Sequence, residues 1–309
     1  MPDSPSPRCA VSARRRTTSR LRKGAAAFVL IAALAFAACG TSKPTTADRT
    51  DRPAGVFVPS SYDGSVSVPL VVLLHGYTAS GDMAESYLEL QPLAERRGFL
   101  YVHPDGAKDK TGQLFWNATD ACCDMFSANV DSSAHLMTLI DNVRHTYNVD
   151  AKRIYVVGHS NGGFMAYRMA CDHADRIAAI VSVAGATFAD PNKCKPSEPV
   201  NVLQIHGTAD EIINYQGDQI DGHAYPGAQA TATTWASYNG CRPTPEASAT
   251  PLDLEATIAG AETSVSVFAD CPRGGAVELW TVDGGSHVPA ISSTFSSRVI
   301  DFLYAHPKP

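Results

Sequence analysis

Ser160 lies between two glycines, Gly158 and Gly162, where an apolar run ends and a helical pattern of apolar residues begins. A sharp strand-to-helix turn strains its central residue and leaves no room for bulky side chains two positions away. Such a turn lifts the serine hydroxyl above a sheet and points the first N–H groups of the helix at the same spot. The spacing G-x-S-x-G therefore predicts a nucleophile elbow with Ser160 as the nucleophile. The alternative is a serine that only caps the helix.

A nucleophilic serine needs a histidine as base and a carboxylate that orients the histidine. After a nucleophile elbow, the acid and then the histidine follow along the chain. Asp210 comes shortly after the apolar run 200–206 and is the preferred acid. Glu211 is the adjacent rival, and Asp270 and Asp283 are weaker because neither follows a predicted strand in the same way.

His287 is the preferred base because it lies in a glycine-containing loop directly after the apolar run 276–282. His223 lies soon after Asp210 without a predicted strand before it, and His306 belongs to the C-terminal tail. The remaining central histidines precede the acid or lie in predicted turns, where packing and backbone hydrogen bonds explain them: His75, His159 and His206.

Acyl transfer also needs donors for the oxyanion of the tetrahedral intermediate. The N–H of Asn161, the residue after the nucleophile, is one expected donor. The second usually comes from the loop after an early strand, where Gly76 permits a sharp turn and the N–H of Tyr77 is the best candidate.

The segment 104–130 shows no helix or strand pattern, and long irregular segments in compact domains are often functional. It carries three aromatic residues, Phe115, Trp116 and Phe126, beside two adjacent cysteines. We expect Trp116 and Phe115 to form an aromatic wall for the substrate. The alternative is a structural loop whose aromatic residues belong to the core.

Six short apolar runs with helical stretches between them indicate how these residues are positioned. Most runs are continuously apolar, as is typical of strands covered on both faces. The pattern predicts an α/β fold with a mostly parallel, doubly wound sheet and helices on both faces. The predicted strands are 69–74, 99–103, 153–157, 177–183, 200–206 and 276–282, and helical signals occupy 83–97, 131–147, 161–172, 227–239 and 294–305.

The N-terminal 38 residues have the layout of an export signal: a basic region, then an apolar stretch too short to span a membrane. This stretch ends in "LAFAACG", which is similar to a bacterial lipobox with Cys39 as the lipidated residue. Simple cleavage and secretion is the alternative. Residues 39–54 are polar and read as a flexible tether, which leaves 55–309 as the catalytic domain.

Without residues 1–38 the chain keeps 18 basic and 30 acidic residues, a net charge of −12. Such a chain without a basic stripe is a poor nucleic-acid ligand. Six cysteines follow Cys39 in the chain, and export favours disulfides over a metal site, for which their spacing fits no pattern. Cys241 follows a predicted helix and Cys271 follows a predicted strand. A polar segment connects them, and we expect the two cysteines to pair. The other four are expected to pair among themselves.

Five motifs occur in an order found in one family of exported esterases: "LLHGYTASG", "FWNATDACCD", "GHSNGGFMAYRMAC", "IHGTAD" and "GGSHVPA". Through them the chain resembles esterases of the polyhydroxybutyrate depolymerase type, relatives of feruloyl and acetyl-xylan esterases, over about residues 56–305. The N-terminus resembles the lipoprotein branch. The resemblance implies an α/β-hydrolase fold and the triad Ser160, Asp210 and His287. Many relatives carry G-G-H-T-W-P at the histidine, whereas Val288 and Pro289 follow it here.

The expected protein is a secreted or lipid-anchored serine esterase that needs no metal or organic cofactor. Its expected partner is a polymeric or oligomeric ester, with membrane contact only through the lipid anchor. Hydroxyalkanoate oligomers are the first substrate class, and feruloyl- or acetyl-type plant esters are the alternative. A peptidase is disfavoured because no propeller-sized second domain is present. A non-catalytic surface binding protein is disfavoured because a full set of triad candidates is present.

Overall fold

A nine-stranded sheet forms the centre of residues 55–309, the part of the chain that the computed structural model describes. Two further pairs of short strands form separate hairpins. In chain order the strands are β1 (Val56–Phe57), β2 (Val68–Leu74), β3 (Leu100–Val102), β4 (Ala107–Lys108), β5 (Leu114–Phe115), β6 (Val149–His159), β7 (Ala179–Val183), β8 (Asn201–Gly207), β9 (Gly217–Ile220), β10 (His223–Pro226), β11 (Glu246–Ala247), β12 (Thr263–Phe268) and β13 (Val277–Val282).

The sheet order is β1-β3-β2-β6-β7-β8-β13-β12-β11. Strands β3, β2, β6, β7, β8 and β13 pair in parallel, and they overlap the six runs that the sequence predicts. Strands β1, β12 and β11, at the two ends of the sheet order, pair antiparallel. Of these three, β12 is the strand expected before Cys271, whereas β1 and β11 were not predicted. Strand β12, "TSVSVF", is half-exposed along its middle, so it lacks the continuous apolar run of a central strand.

Helices cover both faces of the sheet and bury two separate apolar clusters. Helices α3, α4 and α5 contribute to the cluster on one face, and α1, α2 and α6 contribute to the other. The helices are α1 (Gly81–Leu88), α2 (Leu90–Arg97), α3 (Ser132–Thr146), α4 (Asn161–Asp172), α5 (Ala228–Asn239) and α6 (Phe295–Ala305). The mostly parallel, doubly wound sheet predicted from the sequence is therefore confirmed.

The helix predicted over 83–97 is divided into two by Glu89, which adopts a left-handed conformation with φ 48°. The carboxylate of Glu85 accepts hydrogen bonds from the N–H groups of Leu90 and Gln91 at the start of the second helix. The prediction of a single helix was wrong because the spacing of apolar residues does not reveal a single residue in a left-handed conformation. Here the Glu85 carboxylate compensates for the interruption by capping the second helix.

Three disulfides are present in the described residues: Cys122–Cys123, Cys171–Cys194 and Cys241–Cys271. The last is the pair that the sequence predicts, and the other four cysteines pair among themselves. Adjacent cysteines were not foreseen as partners.

The predicted export signal, the tether and Cys39 lie outside the described residues. Within residues 55–309, every helix is too short or too polar to cross a membrane.

Candidate active site

The turn at Ser160 has the strained geometry that its flanking glycines predict. Strand β6 ends at His159, α4 begins at Asn161, and Ser160 between them adopts φ 54° and ψ −121°. A Cβ on Gly158 would lie 2.0 Å from the carbonyl oxygen of Gly162, and one on Gly162 would lie 2.1 Å from that of Leu74. Both positions thus exclude any side chain, and the serine is presented at the carboxyl edge of the parallel strands.

Ser160, His287 and Asp210 form a continuous hydrogen-bonded set. His287 Nε2 lies 2.9 Å from Ser160 Oγ, and its Nδ1 lies 3.0 and 2.9 Å from the two carboxylate oxygens of Asp210. The side chain of Asp210 is fully buried and that of His287 almost so. Asp210 and His287 come from the loops after β8 and β13, which are neighbours in the sheet. This arrangement can remove the proton of the serine hydroxyl.

The rival acids and bases lie elsewhere or contact other groups. Glu211 accepts a weak bond from the backbone N–H of His287 at 3.4 Å rather than from its ring. Asp270 pairs with Arg242, and Asp283 accepts a hydrogen bond from Thr208. His223 belongs to the β9–β10 hairpin, and the ring of His306 contacts the carbonyl of Phe302.

A buried chain of polar side chains supports Asp210 from behind. His206 Nε2 donates to the carbonyl oxygen of Ile213 at 2.7 Å and lies 3.2 Å from Asp210 Oδ2. Gln204 donates to His206 Nδ1 at 3.0 Å, and its own carbonyl accepts from the Tyr167 hydroxyl at 2.7 Å. Because Nδ1 accepts from Gln204, the proton of a neutral His206 is on Nε2, which donates to Ile213 and lies beside the Asp210 carboxylate.

The charge of Asp210 is stabilised despite its burial. Burial alone would raise the pKa of this carboxyl, but hydrogen bonds from His206 and His287 outweigh it and hold the pKa well below its usual range. Backbone N–H groups of Ile212 and Ile213 also donate to its Oδ1, at 2.9 and 2.8 Å. Asp210 is therefore an anion at neutral pH and can stabilise an imidazolium at His287.

Sequence reasoning explained His206 by packing and backbone hydrogen bonds, which its bond to Ile213 bears out, but missed its contact with Asp210. The available signal is that Gln204 and His206 lie two residues apart in a mostly apolar strand, so both point to the same face of β8. Two uncharged polar side chains on one buried face need partners, and each can satisfy the other.

His159, the residue before Ser160, holds the backbone of the loop that carries His287. Its Nε2 donates to the carbonyl oxygen of His287 at 2.9 Å, and the ring of Tyr87 packs edge-on against it. Burial lowers the pKa of His159 to about 4, so the ring is neutral at neutral pH. The sequence predicts packing and backbone hydrogen bonds for His159 but does not identify His287 as the partner, because the two residues are far apart in the chain.

The two expected oxyanion donors lie next to Ser160. Asn161 is the first residue of α4, so its N–H lacks an acceptor within the helix. A Cβ on Gly76 would lie 3.4 Å from Ser160 Cβ, which places the Tyr77 loop against Ser160. The Tyr77 hydroxyl donates to Asp109 at 2.7 Å and anchors that loop. The role of the two N–H groups as oxyanion donors stays a prediction.

The aromatic wall predicted from segment 104–130 is corrected by the structure. Phe115 and Trp116 are both fully buried, and only Phe126 is partly exposed. Trp116 Nε1 donates to the carbonyl of His75, and the Asn161 side chain binds both the N–H and the carbonyl of Trp116. Trp116 thereby fixes the loop to the start of α4, and neither ring offers exposed surface to a substrate, since apolar rings are more stable packed under the loop than in water.

A polar cleft of about 300 Å³ opens on the α4 side of the sheet. Its walls come from segment 117–129, from Arg168 of α4, from Phe188 after β7 and from the tip of the β9–β10 hairpin. Three carboxylates line it, at Asp120, Asp124 and Asp221. Within residues 55–309, no group of three or more potential metal ligands is arranged to hold an ion.

Known proteins resemble the chain both in sequence and in fold. The sequence profile described as Esterase PHB depolymerase matches residues 56–236. Feruloyl esterase B of Piromyces equi is 30% identical over 237 residues, which cover 74% of this chain and 41% of that protein. Poly(3-hydroxyalkanoate) depolymerase C of Paucimonas lemoignei is 26% identical over 176 residues, which cover 55% of this chain and 40% of that protein. The chain thus spans less than half of either relative.

Among solved structures, an acetyl xylan esterase from Aspergillus awamori superposes with a TM-score of 0.56 at 16% identity. The match covers 84% of this chain and 97% of that one. At this identity the likeness concerns the fold alone, and it confirms the α/β-hydrolase fold. Since the sequence profile covers more than half of the 309 residues, the chain belongs to the Esterase PHB depolymerase family.

Proposed function

We propose that the chain is a serine esterase that hydrolyses carboxylic esters through an acyl-enzyme. The observation that carries this proposal is the unbroken hydrogen-bonded line from Ser160 through His287 to the buried Asp210, placed at a strained elbow. Membership of an esterase family supports it.

In the proposed reaction, Ser160 Oγ attacks the ester carbonyl while His287 Nε2 takes the hydroxyl proton. The N–H groups of Tyr77 and Asn161 stabilise the oxyanion, an interaction worth about 3–4 kcal/mol per donor. His287 returns the proton to the leaving alcohol. Water then attacks the acyl-enzyme with His287 again as base, which releases the acid and restores Ser160.

A panel of chromogenic esters tests this activity on the purified protein without its predicted export signal. We expect hydrolysis of carboxylic esters without added metal. Ser160→Ala is expected to lower kcat by at least about 10⁴-fold while the protein stays folded, because the loss of a triad serine removes the covalent route. Residual activity above about 10⁻² of the unchanged protein would point to another nucleophile.

The names of the relatives suggest two substrate classes, hydroxyalkanoate oligomers and feruloyl or acetyl esters of plant polysaccharides. The negative charge of the chain disfavours anionic polymers in both classes by long-range repulsion. The substrate is therefore expected to be a neutral ester.

We also propose that residues 1–38 direct export and that Cys39 carries lipid, with 39–54 as a tether to a catalytic domain at 55–309. The basic-then-apolar N-terminus and the lipobox-like "LAFAACG" support this. Cys39→Ser should move the protein from the membrane fraction to the soluble exported fraction. Unchanged membrane partitioning of that variant would contradict lipidation.

A further inference from the structure

Two exposed apolar side chains belong to the loops that carry Asp210 and His287, and a third lies on α1, which is hydrogen-bonded to the second of these loops. Within residues 55–309, five large hydrophobic side chains are exposed. Val288 directly follows His287 and is 57% exposed, and Ile212 lies two residues after Asp210 and is 61% exposed. Single exposed apolar residues are ordinary, but a group of them at one place marks a binding surface.

The third, Met83, is 61% exposed on α1 and precedes Tyr87 by one helical turn on the same side. The Tyr87 hydroxyl donates to the carbonyl of Pro289 at 2.9 Å, which ties this side of α1 to the residue after Val288. We call Met83, Ile212 and Val288 the rim. Glu211, between Asp210 and Ile212, is the charged group that faces the backbone of His287 there.

The position of the rim assigns it to one half of an ester. The histidine that takes the serine proton later delivers it to the oxygen of the leaving alcohol, so this alcohol must lie on the His287 side. Ile212 and Val288 flank Asp210 and His287 in the chain. The part of a substrate that covers them is accordingly the alcohol and not the acyl group.

We propose that the rim binds the alcohol part of the substrate and that the protein prefers esters of apolar alcohols, such as a further hydroxyalkanoate unit, to esters of sugars. This inference rests on the proposed esterase function. An alkyl group gains by covering apolar side chains, whereas a sugar would lose hydration of its hydroxyls there without gaining partners.

The polar cleft reaches well along α4 from Ser160. Arg168 on its wall lies eight residues after Ser160 in α4, which corresponds to about 12 Å along the helix. A sugar ring bonded directly to the scissile oxygen would lie at the rim on the argument above.

Acetate esters with different alcohols test the proposal because the acyl half stays constant. From ethyl to butyl to hexyl acetate, we expect kcat/KM to rise about twofold per methylene. Complete burial of a methylene would raise kcat/KM roughly fourfold, so the expected rise corresponds to half of the free energy of complete burial. These alcohols differ little in acidity, so the slope reports contact with the alcohol. An acetylated xylo-oligosaccharide should have a kcat/KM at least tenfold below that of butyl acetate.

The double change Ile212→Ser with Val288→Ser should flatten this slope, and Ile212→Ser alone, which leaves the neighbour of His287 intact, should reduce it. The matched control is Val66→Ser, which changes a side chain that is 68% exposed and remote in sequence from the triad candidates, and should keep the slope. A slope that persists in both rim variants, or a higher kcat/KM for the xylo-oligosaccharide than for butyl acetate, would overturn the proposal. Failure of the esterase function itself would look different, as no ester would be hydrolysed or Ser160→Ala would stay active.

Discussion

The buried side and the exposed side of the triad candidates have opposite chemical character. Behind Asp210, inside the protein, His206, Gln204 and Tyr167 form a polar chain with almost no exposure. In front of it, at the solvent, Ile212 and Val288 present apolar surface. Globular proteins usually show the reverse arrangement, with apolar groups inside and polar groups outside.

From this difference we infer that the buried side acts on the reaction and the exposed side on the substrate. A buried polar group costs about 1–3 kcal/mol when it lacks a partner, so a fully hydrogen-bonded chain holds its members in one geometry. Exposed apolar groups have no such constraint and gain only when something covers them. Changes on the buried side should therefore affect kcat and stability, and changes at the rim should affect substrate preference alone.

The largest effect is expected from Asp210→Asn, because Asp210 is the carboxylate to which the buried polar chain leads. An amide cannot stabilise the imidazolium of His287 and favours the wrong tautomer, so kcat should fall by about 10⁴-fold. Ester hydrolysis at neutral pH measures this, with circular dichroism as the check on folding. A loss below about tenfold would mean that Glu211 or another acid orients His287.

The next largest effect is expected from Trp116→Ala, which tests whether segment 104–130 is a structural loop or forms a wall of the substrate site. Because its ring is fully buried, Trp116→Ala should lower the free energy of unfolding by about 3–5 kcal/mol. For a domain of this size, the melting temperature should fall by roughly 10 °C. An unchanged melting temperature with a raised KM would restore the aromatic wall that the sequence predicts.

His206→Leu should have a smaller effect, since it leaves Asp210 with His287 and two backbone donors. We expect kcat to fall on the order of tenfold, because Asp210 and His287 lose part of their positioning. The free energy of unfolding at pH 7 should fall by about 1.5–3 kcal/mol. His206→Gln, whose amide can donate from a similar position, should restore part of both, which a purely steric defect would not allow.

The same variant has a pH signature. A carboxyl with a lowered pKa in the folded chain stabilises the fold above its unfolded pKa of about 3.9, and this contribution is lost as the pH falls. His206 helps to lower the pKa of Asp210. The stability difference between the unchanged protein and His206→Leu should thus shrink between about pH 4 and pH 2. Urea unfolding at several pH values measures it, and a pH-independent difference would assign the loss to packing.

The smallest effect on stability is expected at the rim. Ile212→Ser and Val288→Ser should each change the free energy of unfolding by no more than about 0.5 kcal/mol, since exposed side chains contribute little to the fold. Thermal unfolding of both variants beside Val66→Ser gives this comparison. A loss of several kcal/mol would show that the rim packs as part of the fold and would weaken the contrast between the two sides.

Features that depend on neighbouring residues could be predicted from the sequence. The elbow at Ser160 is a steric requirement within five residues, since Gly158 and Gly162 leave no space for a Cβ. The continuous apolar runs predict the parallel central strands, because strands buried on both faces need apolar side chains throughout. The order of acid and base after the elbow, together with the strands before them, was sufficient to choose Asp210 and His287.

Only the tertiary structure decided features in which distant segments meet. Burial of Trp116 depends on Asn161, 45 residues away, and the contact of His206 with the carboxylate depends on the turn after β8. The aromatic residues of 104–130 look alike in the sequence whether they line a pocket or a core, because burial is set by what packs over them. Likewise, the loops that carry Ile212 and Val288 come together only because β8 and β13 pair in parallel.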